Sequence, residues 1–290
     1  MTFQDTFQAY MLQLAADGRS GHTINQYRRH LASFANWLDE TNRPTEIRDI
    51  GHQDLAAFLA SENATHDAAG KKKRPTSVNT IRSSLKTFFC FVHAAGYAPR
   101  NAGRLIRRAI CGDPPPRGLS DDEVNRLLKV LDTATTGAER RDRMLFRLLL
   151  RTGLRIGSAL NLEVEDLDLD HSEIRLRTAK GSRDEVVFIP AEITLELREF
   201  VAERSVGPVF IGGKGNRFGV RSAQRRFATW VEQAGINRTA SPHALRHTFA
   251  TRLLAKTGNL ALVQAGLRHR SISSTTIYAR ANEERLRSSI

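Results

Sequence analysis

Near the end of the chain the sequence reads His243-Ala244-Leu245-Arg246-His247, with His269 twenty-three residues beyond Arg246 and Tyr278 nine beyond that. Arg155 stands earlier, in Thr152-Gly153-Leu154-Arg155, and Lys180 lies in Ala179-Lys180-Gly181-Ser182. These residue types suit chemistry on a phosphodiester. Such an ester is anionic and gathers further charge on its non-bridging oxygens in the transition state. A guanidinium offers a planar fork of donors to two of those oxygens, where an ammonium is only a point charge. Arg155 and Arg246 fit that role, and Arg→Lys at either is expected nearly to abolish the reaction. His243 and His269 titrate near neutrality and can donate or accept a proton, but the sequence does not assign their tautomers. Taken singly, each residue has a plainer use. Tyr278 packs with one satisfied hydroxyl, Arg155 caps a helix or pairs with Glu163, Lys180 is a solvated turn residue, and the histidines are surface or core groups.

The elements that must position these groups are legible from apolar period. Phe7, Tyr10, Met11 and Leu14 share one helical face, and Ile24, Tyr27, Leu31, Phe34 and Leu38 repeat the spacing. Leu55, Phe58 and Leu59 mark a shorter helix, and Val78, Ile81, Leu85, Phe88, Phe89 and Val92 a longer one. Four helices in about a hundred residues predict a small bundle. Between the third and fourth, Gly70 is followed by Lys71, Lys72, Lys73 and Arg74, then Pro75 and a Thr76/Ser77 start signal. That cluster sits in a loop at a helix entrance, as a phosphate grip or simply as a solvated turn.

Asp113-Pro114-Pro115-Pro116-Arg117-Gly118 cannot continue a helix and reads as a stiff spacer. The expected division is a helical domain over 1–112, a linker over 113–119 and a second domain over 120–290. Ser120 and Glu123 have capping-box spacing before the face Val124, Leu127, Leu128 and Leu131. Residues 144–150 form an apolar helical stretch ending at Gly153, and Ile156, Ala159 and Leu160 fit another short helix. Then the period changes. Ile174, Leu176 and Thr178 alternate with charged residues, and residues 185–189 are β-branched and apolar, which predicts a hairpin with Lys180 in its turn. Helical patterns resume at 195–201, 223–234, 242–254, 261–266 and 273–278. The predicted fold class is mainly α with a small antiparallel β-sheet.

Composition narrows the function. The 290 residues are 40% hydrophobic, with no apolar run near the twenty residues of a membrane span. Only Cys90 and Cys111 are present, too few for a disulfide framework or a four-cysteine zinc site. The start lacks the basic leader and apolar stretch of a secretory signal, so a cytoplasmic protein is expected. The net charge is +13, and both halves share it. There are 15 Lys and Arg against nine Asp and Glu before Asp113, and 29 against 22 from there on. Two basic lobes with ordinary cores suggest one polyanionic partner, nucleic acid first.

The order and spacing of Arg155, Lys180, His243, Arg246, His269 and Tyr278 resemble those of the tyrosine recombinase family, the phage integrases and Xer-type site-specific recombinases. A Thr23-to-Tyr27 T-x-x-x-Y helix in the first lobe is similar to the family's core-binding domain, so the resemblance spans nearly the whole chain. It implies an N-terminal helical core-binding (SAM-like) domain and an α+β catalytic domain. It also implies that Tyr278 attacks the scissile phosphate to give a 3′-phosphotyrosyl link and a free 5′-hydroxyl. His243 and His269 would assist at the same phosphate, and Lys180 would be the general acid for the departing oxygen, with Arg183 as the competing cation on that turn. The bond energy would be kept, so no ATP, metal or cofactor is expected. The expected partner is a double-stranded DNA recombination site, gripped by both lobes. Two such sites would be bound by a homo-tetramer, or a hetero-tetramer with a second recombinase, with no membrane involved. The tail at 279–290 would dock on a neighbouring protomer, and the setting would be the nucleoid of a bacterium or a mobile element.

Two positions depart from the family pattern. Ser158 stands where a glutamate is common, removing a carboxylate that would orient the site. Leu267-Arg268-His269 replaces Leu-Gly-His, and Arg268 either contacts phosphate or strains the turn. Both keep open a relative that binds DNA without cutting it. A zinc reading of His243 and His247, four apart, lacks the glutamate a metalloprotease needs, because Ala244 occupies that place.

Overall fold

A helix needs its first N–H groups satisfied, and several helices of this protein do so with the side chain of their own N-cap residue. In the computed structural model, which describes residues 1–111, 118–177 and 185–267, α1 (Phe3–Ala16) starts from a Thr2/Asp5 capping box. α2 (Gly21–Glu40) starts from Ser20, whose side chain accepts from Thr23 N–H. α3 (His52–Ala60), the single turn α4 (Glu62–Thr65) and α5 (Pro75–Ala94) complete the first of two compact units, Met1–Asp113 and Pro114–Ile290. Its core is aromatic. Phe34 of α2 meets Phe3 at 5.4 Å and Phe58 at 5.0 Å between ring centroids, edge to face, the arrangement the ring quadrupole favours. His30 of α2 is buried against α5, its Nδ1 2.8 Å from Ser84 Oγ. Asn79 of α5, also buried, exchanges two 2.9 Å hydrogen bonds with the backbone of Ala109 and so fastens the end of the unit to that helix.

The second unit opens with α6 (Asp121–Leu131), capped by the Ser120/Glu123 box read from sequence. α7 (Gly137–Thr152) begins seven residues before its apolar stretch, from a second box formed by Thr136 and Glu139. α7 is the hub. Its Leu145, Leu148 and Leu149 are buried, and Phe146 stacks edge-on against Phe227 at 4.9 Å. Its Asp142, fully buried, is held by Arg141, Arg226 and the indole N–H of Trp230. A buried carboxylate survives only with such partners.

After α8 (Ile156–Leu160) come three antiparallel strands in the order β1 (Leu167–Asp168), β2 (Glu173–Leu176) and β3 (Glu185–Phe188). Ile174 opposes Val187 and both point into the core, while Arg175 faces outward. β1 is a two-residue strand that the alternation does not announce. The hairpin turn, residues 178–184, lies outside the described residues. α9 (Ala191–Val201), α10 (Val220–Gln233), α11 (His243–Thr257) and α12 (Leu260–Leu267) follow. The expected helix at 273–278, the tail at 279–290 and most of the spacer also lie outside the described residues. Among the described residues no helix is long and apolar enough to cross a membrane.

Candidate active site

Gly153 ends α7 in the left-handed region, φ +64°, and turns the chain toward the site. A Cβ there would fall 2.3 Å from a ring carbon of Phe249, so conformation and space both demand glycine. Two residues on, Arg155 is the N-cap of α8, and its carbonyl accepts from Ala159 N–H at 3.0 Å. Its side chain is exposed, and among the described residues no carboxylate pairs with it. Glu163 takes Arg217 instead.

α11 supplies the other two groups. His243 is its first residue and Arg246 lies one turn on, 4% exposed. The Arg246 guanidinium donates to the carbonyl of Gly153 and, at 2.5 Å, to that of Leu267. The arginine is thereby bolted between the C-terminal ends of α7 and α12, and its fork is oriented before any ligand arrives. The His243 ring lies edge to face with that of His247, centroids 4.7 Å apart. Its pKa falls below the ordinary 6.5, chiefly through partial burial and then through the positive charges of Arg246 and Arg155. Three of the six residues singled out by spacing therefore share one electrostatic neighbourhood. Lys180, His269 and Tyr278 lie outside the described residues, as does Arg268.

A groove of about 710 Å³ opens over this neighbourhood, lined by Arg155, Ser158, Arg175, Arg177 and His243 among others. Arg175 and Arg177 were not singled out from sequence. Arg177 follows β2 and pairs with buried Asp166 at 2.5 Å, and Arg175 pairs with Asp168 at 3.2 Å. The alternation of Arg175 and Arg177 with Ile174 and Leu176 was the signal available. The lining of the groove sets Arg155, Arg175 and Arg177 beside Glu163 and Asp166. Among the described residues no three His, Cys, Asp or Glu side chains group as a metal site.

The basic loop of the first unit has a defined geometry. Asp67 caps its turn by accepting from Ala69 and Lys71 N–H, Gly70 takes φ +74°, and His66 bridges to Lys72. Lys71, Lys72 and Arg74 are exposed. Lys73 is different. Its Nζ donates to the carbonyls of Asn63 and Ala64 at 3.1 and 3.2 Å, closing the end of α4, and burial lowers its pKa.

Comparison with known proteins agrees with this layout. The phage integrase family profile matches residues 117–285, and that of the phage integrase N-terminal SAM-like domain matches residues 7–96. Tyrosine recombinase XerC of Rhodospirillum centenum is 34% identical over 286 residues, covering 93% of this chain and 80% of its own length. XerC of Chromobacterium violaceum is 30% identical over 278 residues, covering 94% and 89%. A crystal structure of a lambda integrase tetramer bound to a Holliday junction shares the fold with a TM-score of 0.71 at 19% identity, covering 93% of this chain and 78% of that one. With both units matched in order and close to their full extent, the chain belongs to the phage integrase family of tyrosine recombinases.

Proposed function

We propose that this protein is a site-specific DNA recombinase that cuts and rejoins strands through a 3′-phosphotyrosyl intermediate. The observation that carries the reading is that Arg155 and His243 line one groove while Arg246, pre-oriented by two backbone carbonyls, acts with Arg155 on the charge of His243. The two guanidiniums hold the non-bridging oxygens as charge gathers on them. Neutral His243, at the groove's edge, accepts or relays a proton. Tyr278 is the nucleophile, His269 assists at the same phosphate, and Lys180 protonates the leaving 5′-oxygen. A 5′-hydroxyl from the partner duplex reverses the first step, so the exchange is isoenergetic in covalent bonds and needs no ATP or metal. The first unit, residues 1–112, contributes phosphate contacts through Lys71, Lys72 and Arg74, and Arg268 adds one beside the site. A tetramer brings two sites together, with residues 279–290 docking on a neighbouring protomer. The protein works in the cytoplasm, at the nucleoid.

The test is a nicked duplex that traps the covalent state. Wild type is expected to form an adduct that survives denaturation, and Tyr278→Phe to form none while binding DNA as before. A wild type that binds the duplex yet never becomes attached would instead make the protein a binding-only relative, the reading that Ser158 keeps open.

A further inference from the structure

α11 has no side-chain cap, because Pro242 holds its N-cap position, so the turn bearing His243 must be steadied from elsewhere. The chain entering the second unit does this. Thr248, 2% exposed and two residues past Arg246, accepts from Leu119 N–H at 2.7 Å and donates to the carbonyl of Ala244 in that first turn at 2.9 Å. Gly118 lies flat against it. A Cβ on Gly118 would sit 3.1 Å from the Thr248 backbone nitrogen and 3.2 Å from its Cα and hydroxyl. The far side of the same peptide is held by Arg238, which donates to Gly118 O at 2.7 Å and forks onto Glu123 at 2.8 and 2.9 Å. The Arg238 hydrogen bonds hold the Glu123 carboxyl at about 2, so the fork stays charged throughout the physiological range. One turn further along α11, Arg252 donates to Asp121 at 3.0 Å.

We propose that Thr248, with Gly118 packed on it, is a positioning residue for strand cleavage: it fastens the incoming chain to α11 and so sets where His243 and Arg246 meet the phosphate. The proposal rests on the recombinase reading above. A hydroxyl is needed because it alone accepts from Leu119 and donates to Ala244 at once. A Cβ at 118 forces the strand or Thr248 to give by a few tenths of an ångström, and Gly118→Ala imposes that shift. Displacement of α11 by a fraction of an ångström costs rate and leaves binding, since the duplex is gripped by many other cations.

The experiment uses the full-length chain and a duplex selected from a random-sequence library by binding to it, then nicked to trap the adduct. Affinity and the single-turnover rate of adduct formation at saturating DNA are measured for wild type, Thr248→Val, Thr248→Ser and Gly118→Ala, after a thermal melt of each. Thr248→Val is expected to bind like wild type and react slower by on the order of tenfold or more. Thr248→Ser keeps the hydroxyl and is expected to keep the rate. Gly118→Ala keeps the hydroxyl, moves the strand and slows the reaction, which carries the test if Thr248→Val does not fold. A wild-type rate in Thr248→Val or in Gly118→Ala overturns the positioning role, as does a Thr248→Ser as slow as the valine variant, or a loss confined to affinity. A wild type that forms no adduct overturns the recombinase reading itself and the positioning role with it.

Discussion

An arginine bolted down by carbonyls and an arginine open to solvent answer the same conservative change differently. Arg155 is exposed at the start of α8, so Arg155→Lys is expected to fold and melt like wild type while adduct formation drops by about a hundredfold or more. Arg246 is buried, and a lysine there cannot reach Gly153 O and Leu267 O while also offering a fork. Arg246→Lys is expected to lose the reaction and, in addition, about 2–4 kcal/mol of stability from the two charge-assisted bonds. Denaturant melts beside single-turnover assays check both. A pair of variants equal in stability would mean that the carbonyl anchors contribute nothing.

At the scale of elements, α2 and α5 meet through a polar contact that ties the first unit to pH. His30 is 7% exposed, bonded to Ser84 and close to Arg29 and Lys73, and burial first, then those two cations, lower its pKa to about 4 from 6.5. Because the folded state holds the neutral imidazole, the contribution is complete above pH 6.5 and is lost as the pH falls from 6.5 toward 4. The loss amounts to as much as ~3 kcal/mol. His30→Leu is expected to flatten the stability profile across that window, read by chemical denaturation at several pH values. A wild-type profile already flat there would refute it. Elements with long apolar faces were legible in sequence, as were the Ser120 box, the Gly153 stop and the hairpin's two long strands. What escaped is what apolar period does not encode. β1 and α4 are too short to show one, and the start of α7 is polar although Thr136 and Glu139 carried its cap signal. At the site, Arg155, His243 and Arg246 were readable from type and spacing. The carbonyls that aim Arg246, and the strand at Leu119 that steadies α11, belong to backbone far away in sequence and leave no mark on side-chain chemistry.

For the whole molecule, charge is the first thing a duplex meets. Both units carry surplus cations, so affinity is expected to fall with salt by about 0.9 log units per phosphate contact per decade. Lys71→Ala, Lys72→Ala and Arg74→Ala should each reduce that slope by roughly one contact. Lys73→Ala should leave the slope unchanged and lower stability, since its ammonium already closes α4. Anisotropy titrations of a labelled duplex over a salt series decide it, and a slope insensitive to the Lys71, Lys72 and Arg74 variants would remove the loop from the interface. The long-range field only brings the polyanion near. Where it lands, the manner in which Arg246 is held becomes decisive. A carboxylate would cancel the guanidinium's monopole, as Asp166 offsets Arg177. Carbonyls at the ends of α7 and α12 are the negative poles of two helix macrodipoles, which steer and solvate the cation without neutralising it. Neither of these two contacts subtracts from the guanidinium's charge, so an interior residue can still be electropositive.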